Sequence, residues 1–214
     1  MLPRPYSVWV GSCWIKRVNI KIKEVPETQN FELRTSNLEL CSPLTTHHSH
    51  VVMKNALKVT MYTDGAARGN PGRGGYGVVL LYNSHKKELS AGYKLTTNNR
   101  MELMAVIAGL EALKKEGLNV TIYSDSQYIV KAIEEGWLEK WVSTYFKGGK
   151  KNKDLWMRFY ELAGKHHLKF IWVRGHAENI YNNRCDVLAT AAADGEDLLV
   201  DEGYIQDNNS LFKK

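Results

Sequence analysis

The 214-residue sequence is poor in three features, each of which would define a class of protein. Its three cysteines, Cys13, Cys41 and Cys185, are odd in number and widely spaced, which argues against a disulfide scaffold and fits a reducing, intracellular setting. No apolar run is long enough to cross a bilayer. The glycine-rich stretch Gly65–Gly77 is predicted to be a loop, but it lacks the Lys-Ser/Thr ending of a phosphate-binding loop. We therefore expect a cytoplasmic protein with neither a membrane partner nor a nucleotide site of that type.

Proline is scarce outside the N-terminal quarter of the chain, where four of the five prolines lie. This quarter also holds a polar, non-periodic run, Thr45–His50, and a short apolar run, Val8–Ile15, without the small-residue cleavage site of a signal peptide. We expect residues 1–52 to form a weakly structured extension. Its clustered histidines do not predict a structural zinc site, because no cysteine pair completes one. Since the periodic pattern starts just after Met53, we also expect that translation can begin there.

The charge of the chain is divided between a basic body and an acidic C-terminal segment. The net charge is +6 overall. Residues 53–193 hold 21 Lys and Arg against 13 Asp and Glu, a net +8, whereas Asp194–Asp207 holds six acids and no base. A basic body suits a polyanionic partner, first of all a nucleic acid, although a surface tuned for solubility gives the same totals. We expect residues 194–214 to form a flexible acidic tail.

The segment that organises the rest of the chain runs from Val59 to Gly65. Val59–Thr63 alternates as a half-buried strand does, and Asp64 and Gly65 follow it directly. Glycine at that point allows a sharp turn and leaves room beside the carboxylate. An acid at a strand tip in a sheet protein lies where ligand sites tend to form. The pattern therefore predicts that Asp64 is a functional acid.

Periodicity predicts five strands and four helices in the basic body. The first three strands follow one another closely, which predicts antiparallel neighbours, and the later strand–helix order predicts a parallel portion of the sheet. The predicted strands are Val59–Thr63, Gly77–Tyr82, Glu88–Lys94, Asn119–Ser124 and Leu168–Val173. The predicted helices are Asn99–Lys115, Ser126–Glu135, Leu155–Gly164 and Asn182–Ala193. The body is therefore predicted to be an α/β domain with a mixed sheet.

Four acids, Asp64, Glu102, Asp125 and Asp186, lie at the ends or beginnings of these elements. Glu102 is in the first turn of an otherwise apolar helix, where an unpaired buried carboxylate is costly. Carboxylates gathered at one sheet edge repel one another unless cations neutralise them, and all-oxygen ligation suits Mg²⁺ or Mn²⁺. Two such ions can support an in-line displacement at phosphorus. His176, on the loop before Asp186, is placed to move a proton.

A basic and aromatic segment, Gly136–Asp154, separates the second and third predicted helices, and we call it the basic arm. Rings interleaved with lysines suit stacking on bases or sugars together with ammonium contacts to phosphates. An amphipathic helix with buried rings and solvated lysines would have the same composition. The residues concerned are Trp137, Trp141, Tyr145, Phe146, Lys140, Lys147, Lys150, Lys151 and Lys153.

Five signatures resemble those of type 1 ribonuclease H, in the same order and with the same spacing. They are Tyr62–Ala66 with Gly69–Gly72, Thr96–Leu103, Tyr123–Gln127, Val173–Ala177 and Asn183–Asp186. The resemblance covers about Met53–Ala193. It implies the RNase H-like fold, a five-stranded mixed sheet in the order 3-2-1-4-5 with helices on both faces. It also implies a monomeric enzyme whose domain at residues 53–193 cuts the RNA strand of RNA/DNA hybrids and leaves 5′-phosphate and 3′-hydroxyl ends.

The resemblance further assigns roles to individual residues. The catalytic residues would be Asp64, Glu102, Asp125, His176 and Asp186, and the four acids among them would bind two Mg²⁺ ions, for which Mn²⁺ can substitute. The minor-groove contacts, where 2′-hydroxyls distinguish RNA from DNA, would come from Asn70, Asn98, Asn99 and Gln127. A DNA phosphate would be held by Thr97 and Thr144. The protrusion along the DNA strand would include Trp141, Tyr145, Lys147, Lys150 and Lys151.

Two other functions stay open beside this one. A non-catalytic nucleic-acid-binding module on the same fold would use the basic arm, but it would have no need of all four acids. A DNA-directed nuclease or transposase of related fold would keep the acids and differ in its substrate. Cleavage of hybrid, duplex DNA and duplex RNA, compared side by side, separates the three functions.

Overall fold

The computed structural model describes residues 21–22, 57–175 and 179–211 of the chain. The extension predicted over residues 1–52 therefore lies outside the described residues, except for Lys21–Ile22. Met53, proposed as a start, and His176, predicted as a catalytic helper, also lie outside them.

The five predicted strands and four predicted helices are present in the predicted order, together with two short strands and two further helices. The strands are β1 (Lys21–Ile22), β2 (Lys58–Gly69), β3 (Gly72–Tyr82), β4 (His85–Thr96), β5 (Asn119–Ser124), β6 (His167–Trp172) and β7 (Leu198–Leu199). The helices are α1 (Asn98–Glu111), α2 (Gln127–Glu134), α3 (Trp137–Ser143), α4 (Lys153–Ala163), α5 (Ile180–Asp194) and α6 (Glu202–Leu211). None of the described helices is both long and apolar enough to cross a membrane.

All the described strands form one mixed sheet in the order β1-β6-β5-β2-β3-β4-β7. β3 is antiparallel to both β2 and β4, whereas β5 is parallel to both β2 and β6. The order of the five longer strands, β4-β3-β2-β5-β6, confirms the predicted order 3-2-1-4-5. The difference is that two-residue strands, β1 and β7, extend the sheet at its two edges.

Helices cover both faces of the sheet, as predicted. α1 and α5 pack on opposite faces of β3, because a side chain at Gly74 would meet Met101 of α1, whereas one at Gly75 would meet Ala189 of α5. The main core lies on the α1 face, where α4 also packs against α1. Its fully buried members include Met61, Val78, Ile107, Trp156, Phe159 and Phe170.

The prediction of a glycine-rich loop over Gly65–Gly77 is wrong. β2 continues through Gly65 to Gly69 and pairs with β3 as a hairpin, so that only a short turn at residues 70–71 interrupts the ladder. Gly65 does not turn the chain. Its missing side chain instead lets α1 approach the sheet, because a Cβ there would lie 2.2 Å from the backbone nitrogen of Glu102.

The acidic C-terminal segment differs from the expected flexible tail. It contains β7 and α6, and its Asp201 is buried. The carboxylate of Asp201 accepts hydrogen bonds from the Arg100 guanidinium at 2.6 and 2.7 Å and from the Thr96 hydroxyl at 2.7 Å. The backbone N–H of Tyr204 donates to the same carboxylate at 3.2 Å, at the start of α6. The run of acids looks solvated in the sequence because its partner lies 101 residues away.

Candidate active site

Asp64 and Asp125 lie side by side where the parallel pairing of β2 with β5 ends. The last paired residues are Thr63 and Ser124, so the next residue of each strand is an acid. Because the strands are parallel neighbours, both acids lie at the same end of the strand pair. Asp64 is buried and Asp125 is half-buried. The backbone N–H of Gly65 donates to Oδ1 of Asp64 at 2.8 Å, which fixes that carboxylate.

Glu102 reaches the same place from α1. Its helix can approach β2 only because Gly65 has no side chain, as described above. Glu102 is buried, with 6% of its surface exposed. The side-chain amide of Asn98, one turn earlier, lies 3.4 Å from Oε1 of Glu102 and donates to it. The strand glycine and the helix amide therefore position this acid together.

The three acids form a close cluster that opposes its own ionisation. One carboxylate oxygen each from Asp64, Glu102 and Asp125 lie within 4.8 Å of one another. Burial, and then the charges of Asp125 and Asp186, raise the pKa of Asp64 to about 7. Burial, followed by the charges of Asp64 and Asp125, raises the pKa of Glu102 well above its ordinary value. Such a cluster favours anything that supplies positive charge.

The donor set of this cluster fits a hard divalent cation. All three residues offer carboxylate oxygens, which are the ligands that such ions prefer. Oε2 of Glu102 is buried and has no hydrogen-bond partner among the described residues, so a cation would supply the interaction that this oxygen lacks. A bound cation would also offset the repulsion that raises the two pKa values. The cluster is therefore a candidate divalent-metal centre.

Asp186, the fourth predicted acid, lies near this cluster on α5. It is half-buried, and its charge contributes to the raised pKa of Asp64. It is not one of the three residues whose oxygens lie within 4.8 Å of one another. Its helix is held against β3 at Gly77, where a Cβ would lie 2.1 Å from the carbonyl oxygen of Cys185. The structure thus brings three acids together and places the fourth within electrostatic range.

Two residues, one on α1 and one beside Asp125, are missing from the predicted set of functional residues. Arg100 is 1% exposed, and its guanidinium lies 2.6 Å from carboxylate oxygens of Asp154 and Asp201. Its signal in the sequence is an arginine in an otherwise apolar helix, which must be paired if buried. Gly175 packs against Asp125, because a Cβ there would lie 2.6 Å from Oδ2. Sequence gives no signal for that contact beyond the glycine itself.

Comparison with known proteins identifies the family to which these acids belong. The sequence profile of the RNase H family matches residues 56–194, more than half of the chain. This chain belongs to the RNase H family. The matched residues include all four predicted acids and the whole basic arm, and the predicted family resemblance is confirmed.

Individual relatives of this RNase H agree with the profile. The chain is 57% identical to a ribonuclease H of Syntrophus aciditrophicus (strain SB) over 151 residues, which are 69% of this chain and 87% of that protein. It is 56% identical to a ribonuclease H of Desulforamulus reducens over 151 residues, covering 69% of this chain and 94% of that one. The predicted ribonuclease H activity is confirmed by these relatives.

Solved structures of the family have the same fold. LC9-RNase H1, described as a type 1 RNase H with the type 2 active-site motif, aligns with a TM-score of 0.60 and 30% identity, covering 71% of this chain and 80% of its own. LC11-RNase H1, solved in complex with RNA/DNA hybrid, aligns with a TM-score of 0.50 and 28% identity, covering 64% of this chain and 96% of its own. The predicted RNase H-like fold is therefore confirmed.

The predicted minor-groove residues of this RNase H lie on three elements around the cluster. Asn70, in the turn between β2 and β3, accepts a hydrogen bond from the backbone N–H of Asn98 at 3.2 Å. Asn98 also contacts Glu102, so it connects the turn to the acid cluster. Asn99 and Gln127 are exposed at the starts of α1 and α2. Their contacts with a nucleic acid stay predictions.

The predicted phosphate-binding threonines lie on different parts of the surface. Thr97 is half-buried and directly precedes α1. Thr144 is exposed in the basic arm, and its hydroxyl donates to the backbone oxygen of Lys140 at 2.8 Å. That hydroxyl can still accept a hydrogen bond, but it donates locally within the arm.

Some aromatic residues of the basic arm pack against the core, and others are exposed to solvent. The ring of Trp141 lies 5.7 Å from that of Trp156 and 6.3 Å from that of Phe146, so it anchors the arm. Tyr145 is 83% exposed. Lys150 places its Nζ 5.9 Å from the centroid of the Trp141 ring. The groove on the outside of the arm is lined by Trp137, Lys140, Trp141, Thr144, Lys147 and Lys150.

Proposed function

We propose that this chain is an endoribonuclease that hydrolyses the RNA strand of RNA/DNA hybrids with the help of Mg²⁺ and leaves 5′-phosphate and 3′-hydroxyl ends. The observation that carries the proposal is the carboxylate cluster at Asp64, Glu102 and Asp125, one oxygen of each lying within 4.8 Å of the others. Burial raises the pKa values of Asp64 and Glu102 in this cluster. A family relative, LC11-RNase H1, was solved with an RNA/DNA hybrid, which supports the choice of substrate.

The acids share one task in this proposal, and His176 has another. Asp64, Glu102 and Asp125, with Asp186 beside them, would hold two Mg²⁺ ions. Bound there, the ions would supply a more acidic water as nucleophile and positive charge for the leaving 3′ oxygen. The cluster would fix the place of attack at the end of the β2–β5 strand pair, where Asp64 and Asp125 lie. His176 would move a proton or help the product to leave.

Recognition of the hybrid would come from two surfaces. We infer that Asn70, Asn98, Asn99 and Gln127 read the minor groove, where the RNA strand presents 2′-hydroxyls. Phosphates of the DNA strand would meet Thr97, Thr144 and the basic arm. In the arm, the exposed residues Tyr145, Lys147, Lys150 and Lys151 are available for this contact. We propose that Trp141 supports them from below rather than stacking on a base, because it packs on Trp156.

A substrate panel tests the function. Hybrid, duplex DNA and duplex RNA of one sequence are incubated with the protein and Mg²⁺, and products are resolved on a sequencing gel. We expect cleavage of the hybrid only, in its RNA strand, by a protein that elutes as a monomer. Equal cleavage of duplex DNA would favour the DNA-directed nuclease. Hybrid binding without cleavage would favour the non-catalytic module.

A further inference from the structure

Two arginines face each other across the β2–β3 hairpin, next to its turn, and a third charged residue lies beside them. Arg68 and Arg73 are directly paired in the antiparallel ladder, and both are exposed. Directly paired residues of neighbouring strands project from the same face of a sheet, so the hairpin carries two positive charges on one side. We call Arg68, Arg73 and the neighbouring Asp194 the hairpin clip.

Asp194, at the end of α5, orients one of these arginines. Its carboxylate accepts hydrogen bonds from Nε of Arg68 at 2.8 Å and from Nη2 of Arg68 at 2.5 Å. The hydrogen bonds from Arg68, and to a smaller extent the charges of Arg68 and Arg73, hold the pKa of Asp194 below its ordinary value. The clip therefore combines two cations with one ionised carboxylate and keeps a net positive charge at neutral pH.

The ion pair leaves Arg68 able to bind a second anion. Asp194 uses two of the five N–H donors of the guanidinium, and 53% of the arginine side chain is exposed. An exposed pair of this kind contributes little to stability, but a two-point contact fixes the plane of the guanidinium. The pair is therefore better explained as holding an arginine ready for a ligand than as supporting the fold.

The clip lies on the same face of the sheet as Asp64. Side chains alternate along β2 and Gly65 faces α1, so Asp64 and Arg68 both project toward the α5 face. At about 3.3 Å per residue, Arg68 lies roughly 13 Å beyond Asp64 along the strand. The pKa of Arg68 is raised chiefly by its hydrogen bonds to Asp194 and in smaller part by the charge of Asp186. The clip is therefore within electrostatic range of the acids.

The basic arm lies on the opposite face of the sheet. Trp141 anchors the arm against Trp156, which belongs to the core on the α1 face. The acids at the ends of β2 and β5 thus lie between the arm on one side and the clip on the other. If the DNA strand of a hybrid meets the arm and the RNA strand crosses the acids, the RNA backbone continues toward the clip.

We propose that Arg68 and Arg73 bind a phosphate of the RNA strand, a few nucleotides from the scissile bond, while Asp194 holds Arg68 in position. The proposal rests on the proposed function and adds a contact that neither the minor-groove residues nor the basic arm provides. Guanidinium groups suit this task because they donate two parallel hydrogen bonds to phosphate oxygens. A phosphate contact carries no sequence information, so the clip would set the register of the hybrid over the acids.

A binding assay without metal tests the clip apart from catalysis. A fluorescein-labelled RNA/DNA hybrid is titrated with the full chain in the presence of a chelator, and anisotropy is followed at several salt concentrations. The clip variant is Arg68→Ala/Arg73→Ala. The control, Lys114→Ala/Arg184→Ala, removes two exposed bases outside the clip, and Arg184 also pairs with an exposed acid side chain, at 2.8 Å. We expect the clip variant to bind about tenfold more weakly and to lose about one from the slope of log affinity against log salt, whereas the control binds like the unmodified chain.

Cleavage kinetics with Mg²⁺ separate a phosphate contact from a catalytic one. We expect KM for the hybrid to rise about tenfold in the clip variant and kcat to stay unchanged. Arg68→Lys/Arg73→Lys keeps both charges and should restore the salt slope. Asp194→Asn removes no positive charge and should bind the hybrid like the unmodified chain, because the loss of a nearby negative charge offsets the looser orientation of Arg68.

Neutral methylphosphonate linkages identify the strand. They replace single phosphates in either strand of a hybrid whose ribonucleotides form one short central run, so that the protein binds in one register. We expect one replacement in the RNA-containing strand to weaken binding by the unmodified chain but not by the clip variant. The same behaviour for a replacement in the all-DNA strand would overturn the assignment to the RNA strand.

Failure of the clip and failure of the proposed function give different results. Equal affinity of the clip variant and the control, in a chain that cleaves hybrids, would overturn the clip and leave the proposed function intact. Weakening by Asp194→Asn equal to that of the clip variant would also overturn it, because the ion pair itself would then be what matters. A chain that neither binds nor cleaves the hybrid would overturn both.

Discussion

Two groups of charged side chains meet α1 two residues apart, at Arg100 and at Glu102. We call the first the balanced group, because it pairs a base with acids, and the second the unbalanced group, because it brings three acids together. Around Arg100, the guanidinium donates to Asp201 at 2.6 and 2.7 Å and to Asp154 at 2.6 and 2.9 Å. Burial alone would raise the pKa of Asp154, but the bonds from Arg100 outweigh it, and the pKa lies below its ordinary value. At Glu102, by contrast, burial and the charges of Asp64 and Asp125 raise the pKa of the carboxyl.

The difference separates stability from function. The Arg100 group joins α1, the start of α4 and the start of α6, so its charges are satisfied by the fold itself. The Glu102 group is positioned by packing, through Gly65 and Gly175. Charges of its acids raise the pKa values of Asp64 and Glu102, so a bound cation would offset this repulsion. The first group should therefore matter to folding and the second to catalysis, and the variants below test that division.

The largest expected effect is on catalysis at the unbalanced group. Asp64→Asn keeps the shape of the side chain and removes one of the charges that would bind the ions. We expect the rate of hybrid cleavage to fall by roughly 10³-fold or more, about 4 kcal/mol in the barrier, measured under single-turnover conditions. Asp197→Asn, an exposed acid in the C-terminal segment, is the control and should cut at the unmodified rate. A rate for Asp64→Asn within tenfold of the unmodified chain would contradict the assignment.

The next largest effect is on stability at the balanced group. Among the described residues, Asp201→Asn leaves the buried Arg100 with Asp154 as its one ionised partner. We expect the free energy of unfolding to fall by about 3 kcal/mol in urea titrations, because the buried guanidinium loses the more deeply buried of its two partners. Asp197→Asn again serves as the control, with no change in the urea midpoint. If Asp201→Asn unfolded at the same urea concentration as its control, the buried ion pair would not stabilise the fold.

A smaller change in stability, of opposite sign, is expected at the unbalanced group: replacing Asp64 should stabilise the metal-free protein. The folded-state pKa of Asp64 is raised from 3.8 to about 7, so the unfolded chain ionises first as the pH rises and the folded state loses stability between these values. Asp64→Asn removes this loss. We expect the variant to be about 1–3 kcal/mol more stable than the unmodified chain near pH 8 with a chelator present. The gain should shrink as the pH falls toward 4, and a gain independent of pH would refute this origin.

The smallest effect is expected at a solvent-exposed ion pair. Arg68 and Asp194 form a short, two-pronged contact at 2.5 and 2.8 Å, but both side chains are more than half exposed. Water and salt screen such a pair, so it contributes less to the free energy of unfolding than its short distances suggest. Asp194→Asn should leave the urea midpoint unchanged within error. A clear shift would show that proximity rather than burial decides which ion pairs stabilise this protein.

Much of the fold follows from local pattern. Alternation in Asn119–Ser124 gives β5 with the predicted ends, and the predicted order of the five longer strands is confirmed. The glycines were harder to interpret, because the sequence cannot tell a glycine that turns the chain from one that admits a helix. Gly65 admits α1 and does not turn the chain. β2 therefore continues through Gly65 and pairs with β3 as a hairpin.

The acids of the candidate site could be predicted from the sequence, but the residues that surround them could not. An acid after each of two buried strands, and one in an apolar helix, is unusual enough to be recognised without a structure. The partner of Arg100 could not be recognised in this way. Asp201 lies in an acidic run whose sequence is typical of a solvated segment, and it pairs with a residue 101 positions away. Burial of one acid in such a run depends on tertiary packing, which no local pattern encodes. His176 stays a prediction, since it lies outside the described residues.

The central claim is that the unbalanced carboxylates exist to bind divalent ions. Calorimetric titration of Mg²⁺ into the metal-free protein tests it directly, with Glu102→Gln as the variant and Glu111→Gln, on the same helix and paired with Arg158, as the control. We predict that Mg²⁺ binds the unmodified chain and Glu111→Gln alike and binds Glu102→Gln at least about tenfold more weakly. Equal Mg²⁺ affinity in all three proteins would contradict the account.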